Sequence, residues 1–144
     1  AEYLPGFDDQ VYDAHQRFFI NELTAWAEAE LGVPTDPAKR GVWGCSDGGG
    51  HAATVARLFA PRFGHAFVYS TGMPPDMAYN WTDDHPYMHL CAGTLEGPFH
   101  QATEAWAGYL MLVDAPYHFT ERVAGHDLVQ WAEELPNAIN RAWG

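Results

Sequence analysis

The sequence predicts an α/β fold, a mostly parallel sheet with helices packed on both of its faces. Two observations carry that prediction. Short apolar runs alternate with helical stretches along the chain, and strands separated by helices return through right-handed crossovers to a parallel sheet. Glycine and proline clusters mark the changeovers, where the chain has to leave regular structure. A chain of 144 residues suits one core, and no repeat, low-complexity tract or linker divides it. Residues 1-144 are therefore expected to form a single domain.

Taken in order, Asp8 or Asp9 caps a helix that runs to about Leu31, with Tyr12, Phe19, Leu23 and Trp26 recurring at helical spacing. Gly32 and Pro34 end it. The apolar run Gly41 to Cys45 reads as a strand, the cluster Gly48 to Gly50 as a turn, and His51 to Phe59 as a helix. After Pro61 the pattern repeats, with a buried strand His65 to Tyr69 and a long loop Gly72 to Pro86. Tyr87 to Cys91 is a third strand, His100 to Val113 a helix and Tyr117 to Val123 a fourth strand. Finally Leu128, Trp131, Ala132, Leu135, Ile139 and Ala142 share one helical face, and Pro136 is expected to kink that helix or divide it.

Composition excludes some functions. The net charge of -12 repels phosphate backbones, and the seven Lys and Arg residues form no patch, so nucleic acid is not an expected partner. No stretch approaches the roughly 20 apolar residues that span a bilayer, and Ala1 to Phe7 has neither the basic nor the apolar part of a secretion signal, so no membrane association is expected. Two cysteines, Cys45 and Cys91, are too few for a disulfide-stapled secreted scaffold, which makes a cytoplasmic setting the default unless a signal has been removed. The aromatic content of 15% fits dense ring packing or an aromatic-lined cleft.

Chemistry concentrates in Gly44-Cys45-Ser46-Asp47-Gly48, which fits G-x-S-x-G between an expected strand and an expected helix. That setting belongs to a nucleophile elbow, a turn so tight that flanking side chains would strike neighbouring backbone. A serine hydroxyl is a poor nucleophile until a base takes its proton, and the base needs an acidic group to orient it. In elbow hydrolases the chain order is Ser, acid, His. His126, in Gly125-His126-Asp127 just past the last expected strand, suits the base. Glu96 follows the strand Tyr87 to Cys91 and emerges at the carboxyl edge of the sheet, where open α/β sheets bind ligands.

Rivals are weaker. His65 and His118 fall in strands, His51 starts a helix and is expected to line the site, and His100 lies just past Glu96. Asp83 and Asp84 read as solvated loop residues, Glu104 lies inside a helix, Asp114 sits at the wrong end of it, and Asp127 suits a helix cap. Met73, Met77, Tyr79 and Trp81 in the long loop are candidates to wall a substrate pocket, or to pack beneath that loop. A metal site from Asp83, Asp84, His85 and His89 matches no ligand spacing, and no metal or other cofactor is expected. Cys45 and Cys91 should be separated by the strand His65 to Tyr69, about 9 to 10 Å, beyond disulfide reach.

With these residues in view, the chain resembles the esterase family of α/β-hydrolases that includes enterochelin esterases, feruloyl esterases, S-formylglutathione hydrolases and mycolyltransferases. The resemblance rests on Glu2-Tyr-Leu-Pro5, Asn21-Glu-Leu23, the elbow Gly44 to Gly49, Ala92-Gly-Thr-Leu-Glu96 and Gly125-His-Asp-Leu-Val-Gln-Trp131, and the enterochelin-esterase-like branch is nearest. It places nucleophile, acid and base on Ser46, Glu96 and His126. It also implies that the early strands of the fold are absent, leaving a bare edge at Val42 and Trp43 that invites a homodimer or a partner fragment to complete the sheet.

The expected activity is hydrolysis of a small-molecule carboxylic ester through an acyl-enzyme on Ser46. The Asp47 amide supplies one oxyanion donor, and the second usually comes from the absent part. The alternatives are acyl transfer to an alcohol, or a catalytically incomplete fragment that serves as a binding or assembly module.

Overall fold

The computed structural model describes residues 8–77 and 84–144; Glu2 to Pro5 lie outside the described residues. Strands β1 (Gly41–Cys45), β2 (His65–Tyr69), β3 (Tyr87–Gly93) and β4 (Tyr117–Arg122) form one sheet in the order β1-β2-β3-β4, all parallel. Helices α1 (Asp9–Arg17) and α2 (Thr24–Leu31) precede the sheet, α3 (Asp47–Leu58) links β1 to β2, α4 (Pro98–Leu112) links β3 to β4, and α5 (Leu128–Trp143) comes after β4.

The pleat divides the core in two. Ala66, Val68, Met88 and Leu90 face α3 and α4, meeting Ala53, Val55, Trp106 and Leu110. Phe67, Tyr69 and Cys91 face the other way and meet Trp131 and Ala138 of α5. Helices on both faces leave β2 and β3 almost wholly buried, which is why those runs carry so few polar residues. Each fully buried side chain such as Val68 or Leu90 contributes about 2 kcal/mol. Cys45, Tyr69 and Cys91 stand level on successive strands, so the two thiols are separated by a strand and free. Burial pushes both thiols up to about 12, leaving them protonated.

Three elements depart from the sequence reading. The first helix is interrupted by a π-helical segment, Phe18–Leu23, whose extra residue per turn rotates the face that α2 presents. Trp26 thereby leaves the apolar face and is exposed. Helix α3 begins at Asp47, so the three glycines form its first turn rather than a loop before it. Helix α5 is continuous through Pro136. That residue lies on the exposed side, where the unpaired Ala132 carbonyl can turn to water, and the Asn137 side chain donates to Glu133 O at 3.1 Å. The buried face of α5 is also rotated from the apolar stripe. It carries Gln130, Trp131, Glu134 and Ala138, whereas Leu128, Ala132 and Ile139 are exposed. Glu134 can be buried because Arg122, Arg141 and Thr120 all donate to it.

The turn from β1 into α3 depends on two glycines. A Cβ on Gly44 would stand 1.9 Å from the Gly48 carbonyl oxygen, and one on Gly49 would stand 2.8 Å from Tyr69 O. A Cβ on Gly48 meets nothing within 4 Å. Gly48 is thus needed for its backbone approach to Gly44, and not for its own lack of a side chain.

Strand β1 is an open edge among the described residues. Ser46 N–H donates to Tyr69 O at 2.9 Å and His65 N–H to Arg40 O at 3.2 Å, so even-numbered residues of β1 turn their backbone groups to β2. Gly41, Trp43 and Cys45 turn theirs outward. Apolar troughs flank this edge on both faces. One of about 270 Å³ is lined by Phe19, Leu23, Val42 and Trp43, and one of about 670 Å³ by Trp43, Leu135, Ile139 and Trp143.

On the α5 face the lower ends of β2 and β3 carry a histidine pair. His65 Nδ1 lies 3.2 Å from His89 Nε2, and the Ala38 carbonyl nearby accepts the Trp143 indole N–H at 2.8 Å. Burial, aided by His65, Arg141 and His118 and opposed by Glu134, pushes His89 down to about 4.

The histidine pair and the glycine turn each give a measurable expectation. The unfolded chain protonates His89 near 6.5 and the folded one near 4, so stability is full above pH 6.5 and is lost as the pH falls through that window. Urea unfolding at pH 7.5 and pH 5 should differ by about 2 kcal/mol, and His89→Leu should remove most of that difference. At the turn, Gly44→Ala should destabilise by about 3 kcal/mol or more, whereas Gly48→Ala should be neutral or stabilising by up to about 1 kcal/mol; thermal unfolding compares them.

Candidate active site

All four strands end at the same edge of the sheet, and each delivers one polar group there. Ser46 follows β1, Ser70 follows β2, Glu96 lies three residues past β3, and His126 stands in the loop between β4 and α5. Ser46 has φ 56° and ψ -126°, an arrangement that a non-glycine residue rarely adopts and that the strand–turn–helix junction enforces. It lifts the side chain off the sheet.

His126 Nε2 lies 2.9 Å from Ser46 Oγ, and His126 Nδ1 lies 2.6 Å from Glu96 Oε2. The ring is held from two sides, by Phe99 stacked at 3.8 Å between centroids and by the Trp131 ring edge-on at 5.0 Å. The Glu96 side chain is fully buried and that of His126 is partly exposed, so the imidazole bridges an interior carboxylate and a surface hydroxyl. Glu96 Oε1 is occupied separately. It accepts from Ser70 Oγ at 2.6 Å, from Gly93 N–H at 2.5 Å and from Gln130 Nε2 at 3.3 Å. A buried carboxylate needs such donors to replace lost water. Gln130 also donates to Gly125 O at 2.5 Å, tying the histidine loop to α5.

The remaining sequence candidates are spread more widely. Asp47 is exposed at the first position of α3, where backbone N–H groups have no intrahelical partner. Asp127 caps α5 by accepting from Val129 N–H and Gln130 N–H. His100 pairs with Glu121 on β4 at 2.7 Å instead of approaching Ser46. His51 is buried between α3 and the first helical segment, with His15 and Phe19 around its ring and Gln16 Nε2 at 3.5 Å. Met73 packs on the first turn of α3, its sulfur close enough that a Cβ on Gly50 would lie 2.9 Å away. Its carbonyl accepts from the Trp106 indole at 2.8 Å. Trp81, Tyr79 and Asp83 lie outside the described residues. Of the weighed metal set, His85 meets Arg57 on the α3 side of the sheet and His89 lies on the α5 side, so these two share no site.

Ser70 and Gln130 are not legible in the sequence as site residues. Ser70 is wholly buried and has φ 47°, a conformation unusual for serine. Its one sequence signal is its place after an apolar strand, which many structural serines share. Gln130 sits within the stretch that starts at Gly125, and its role appears only when α5 docks.

No protein-family model and no curated protein sequence matches the chain. Solved structures do. An S-formylglutathione hydrolase of Staphylococcus aureus superposes with a TM-score of 0.75 at 16% identity, over 92% of this chain and 63% of that one. An enterobactin esterase of Shigella flexneri, solved in the presence of 2,3-dihydroxy-N-benzoylserine, gives 0.78 at 18% identity, over 92% of this chain and 38% of that one. A ferulic acid esterase of Anaeromyces mucronatus in complex with ferulic acid gives 0.73 at 15% identity, over 93% and 57%. The chain thus spans between 38% and 63% of the length of these hydrolases. Nearly all of it shares their architecture, and its fold is part of an α/β-hydrolase fold.

Proposed function

We propose that the chain carries the reacting groups of a serine esterase that hydrolyses small carboxylic esters. The observation behind this reading is the unbroken line from Ser46 Oγ through the His126 ring to the buried Glu96 carboxylate, with the serine held at φ 56°. His126 takes the serine proton as Ser46 attacks the ester carbonyl, and Glu96 holds the ring and offsets its positive charge. The Asp47 backbone N–H stabilises the developing oxyanion. The alcohol leaves with the proton from His126, and water activated by the same ring then frees the acid from Ser46. Met73, packed on the first turn of α3, contributes to one wall of the acyl pocket. The likeness to esterases supports the reaction class, and free thiols at about 12 argue against cysteine as a rival nucleophile.

A second reading draws on the open β1 edge and on the fraction of the related hydrolases that the chain spans. In it the site is half of a larger one, and a second copy of the chain or a partner fragment pairs with β1 and brings the other oxyanion donor. Lacking that donor costs about 3 kcal/mol, on the order of a hundredfold in rate.

Release of p-nitrophenol from its acetate and butyrate esters tests the first reading. Turnover should fall by about 10⁴-fold or more in Ser46→Ala, with folding unchanged by circular dichroism; equal rates in both proteins would refute it. Solution scattering tests the second. A particle of twice the chain mass that dissociates in Trp43→Lys is expected, and a monodisperse monomer with full activity would count against pairing.

A further inference from the structure

Glu96 has to present one particular oxygen to His126, and the surroundings of its other oxygen show how that choice is enforced. Oε1 accepts from the Ser70 hydroxyl at 2.6 Å, and that hydroxyl receives the Trp131 indole N–H at 2.7 Å. An indole nitrogen only donates. Ser70 Oγ is therefore the acceptor in the Trp131 bond, and its single proton is left to point at Glu96. A serine alone would rotate among several partners; this one has its direction set by α5. The backbone agrees with this: Ser70 is wholly buried, holds φ 47°, and is fixed in place by its N–H bond to Cys91 O at 2.7 Å. A non-glycine residue in that conformation is maintained by its surroundings against an intrinsic cost.

We propose that Trp131 and Ser70 form a positioning relay. The indole N–H orients the Ser70 hydroxyl, the hydroxyl anchors Glu96 Oε1, and Oε2 is thereby aimed at His126 Nδ1. Neither residue touches substrate; Ser70 acts through Glu96, and the Trp131 N–H acts through Ser70 while its ring, kept by Phe, packs edge-on against His126. The inference rests on the esterase reading for its catalytic consequence and on the hydrogen bonds alone for its structural one. It accounts for the spacing in Gly125 to Trp131. His126 is the ring being positioned, Asp127 starts α5 by capping it, and Trp131, on the first turn of α5, reaches back to the acid's anchor. The docking of one helix thus sets both the ring and the carboxylate.

The test compares Ser70→Ala and Trp131→Phe in the parent chain and in a Glu96→Ala background, with ester turnover, urea unfolding and the far-downfield proton resonance of His126 Nδ1–H as readouts. A relay acting through Glu96 lowers kcat about 10- to 100-fold in the parent with KM within about twofold, and has almost no further effect once Glu96 is gone. The downfield resonance, present in the parent, is lost or broadened in Ser70→Ala at pH values where unfolding shows the variant fully folded. Equal losses of kcat in both backgrounds, or losses that merely track the unfolding midpoint, would make Ser70 and Trp131 ordinary core residues and overturn the relay. If the parent shows no Ser46-dependent turnover, the esterase reading fails by itself, and the resonance still decides: lost in folded Ser70→Ala, the relay stands as a structural device; unmoved, it is overturned.

Discussion

The parallel register of the sheet is the constraint on which the rest of the molecule depends. Because β1 and β2 keep Cys45 and Tyr69 level, Ser46 and Ser70 leave the sheet at the same height, while β3 and β4 run on together to Gly93 and Arg122 before the loops that carry Glu96 and His126. Ser46 then bonds back to Tyr69 O and Ser70 to Cys91 O, so each strand end is braced by its neighbour before its side chain is deployed. A slip of one residue in β2 would reverse every side chain on that strand, sending Phe67 and Tyr69 toward α3 and breaking both backbone braces. The hydrophobic sorting between the two core layers is thus also what aligns the polar groups above them.

Helix α5 joins the two halves of that arrangement. Its buried face is more polar than a core helix normally tolerates, since Gln130 and Glu134 lie inside it. Each has a reason to be there. Gln130 binds the Glu96 carboxylate and the histidine loop, while Glu134 gathers Arg122, Arg141 and Thr120 near the middle of the helix. Of the apolar stripe that the sequence displays, Trp131 is buried with Leu135 and Ala142 packed against the same core, while Leu128, Ala132 and Ile139 face outward or toward the open β1 edge.

Much of this is legible in the sequence, and the limits have physical causes. Ser46 can be read locally because an elbow needs its chemistry and its glycines within five residues. Glu96 and His126 can be read because strand ends are visible and elbow hydrolases keep a chain order. The strands at 41, 65, 87 and 117 begin where the apolar runs place them. The face of α5 is not legible, because periodicity reports an apolar stripe while burial is decided by which polar groups find partners. Trp26 is displaced by the π-helical segment, which no spacing rule anticipates. His51 lies near Ser46 in sequence, and the structure buries it against His15, Gln16 and Phe19 of the first helical segment. Ser70 has no local signature at all: its meaning comes from residues 26 and 61 positions away.

The Trp143 bond to the Ala38 carbonyl joins groups 105 positions apart and fastens the end of α5 beside the start of β1. Joining such distant points carries a loop-closure cost, which the docking of α5 on the sheet offsets. The serine turn is braced by β2 through Tyr69 O, whereas the histidine loop is tied to α5 through Gln130. The contacts that place the histidine beside the serine are therefore contacts of the last helix, and the shape of the site is a property of the docked chain rather than of its serine turn alone.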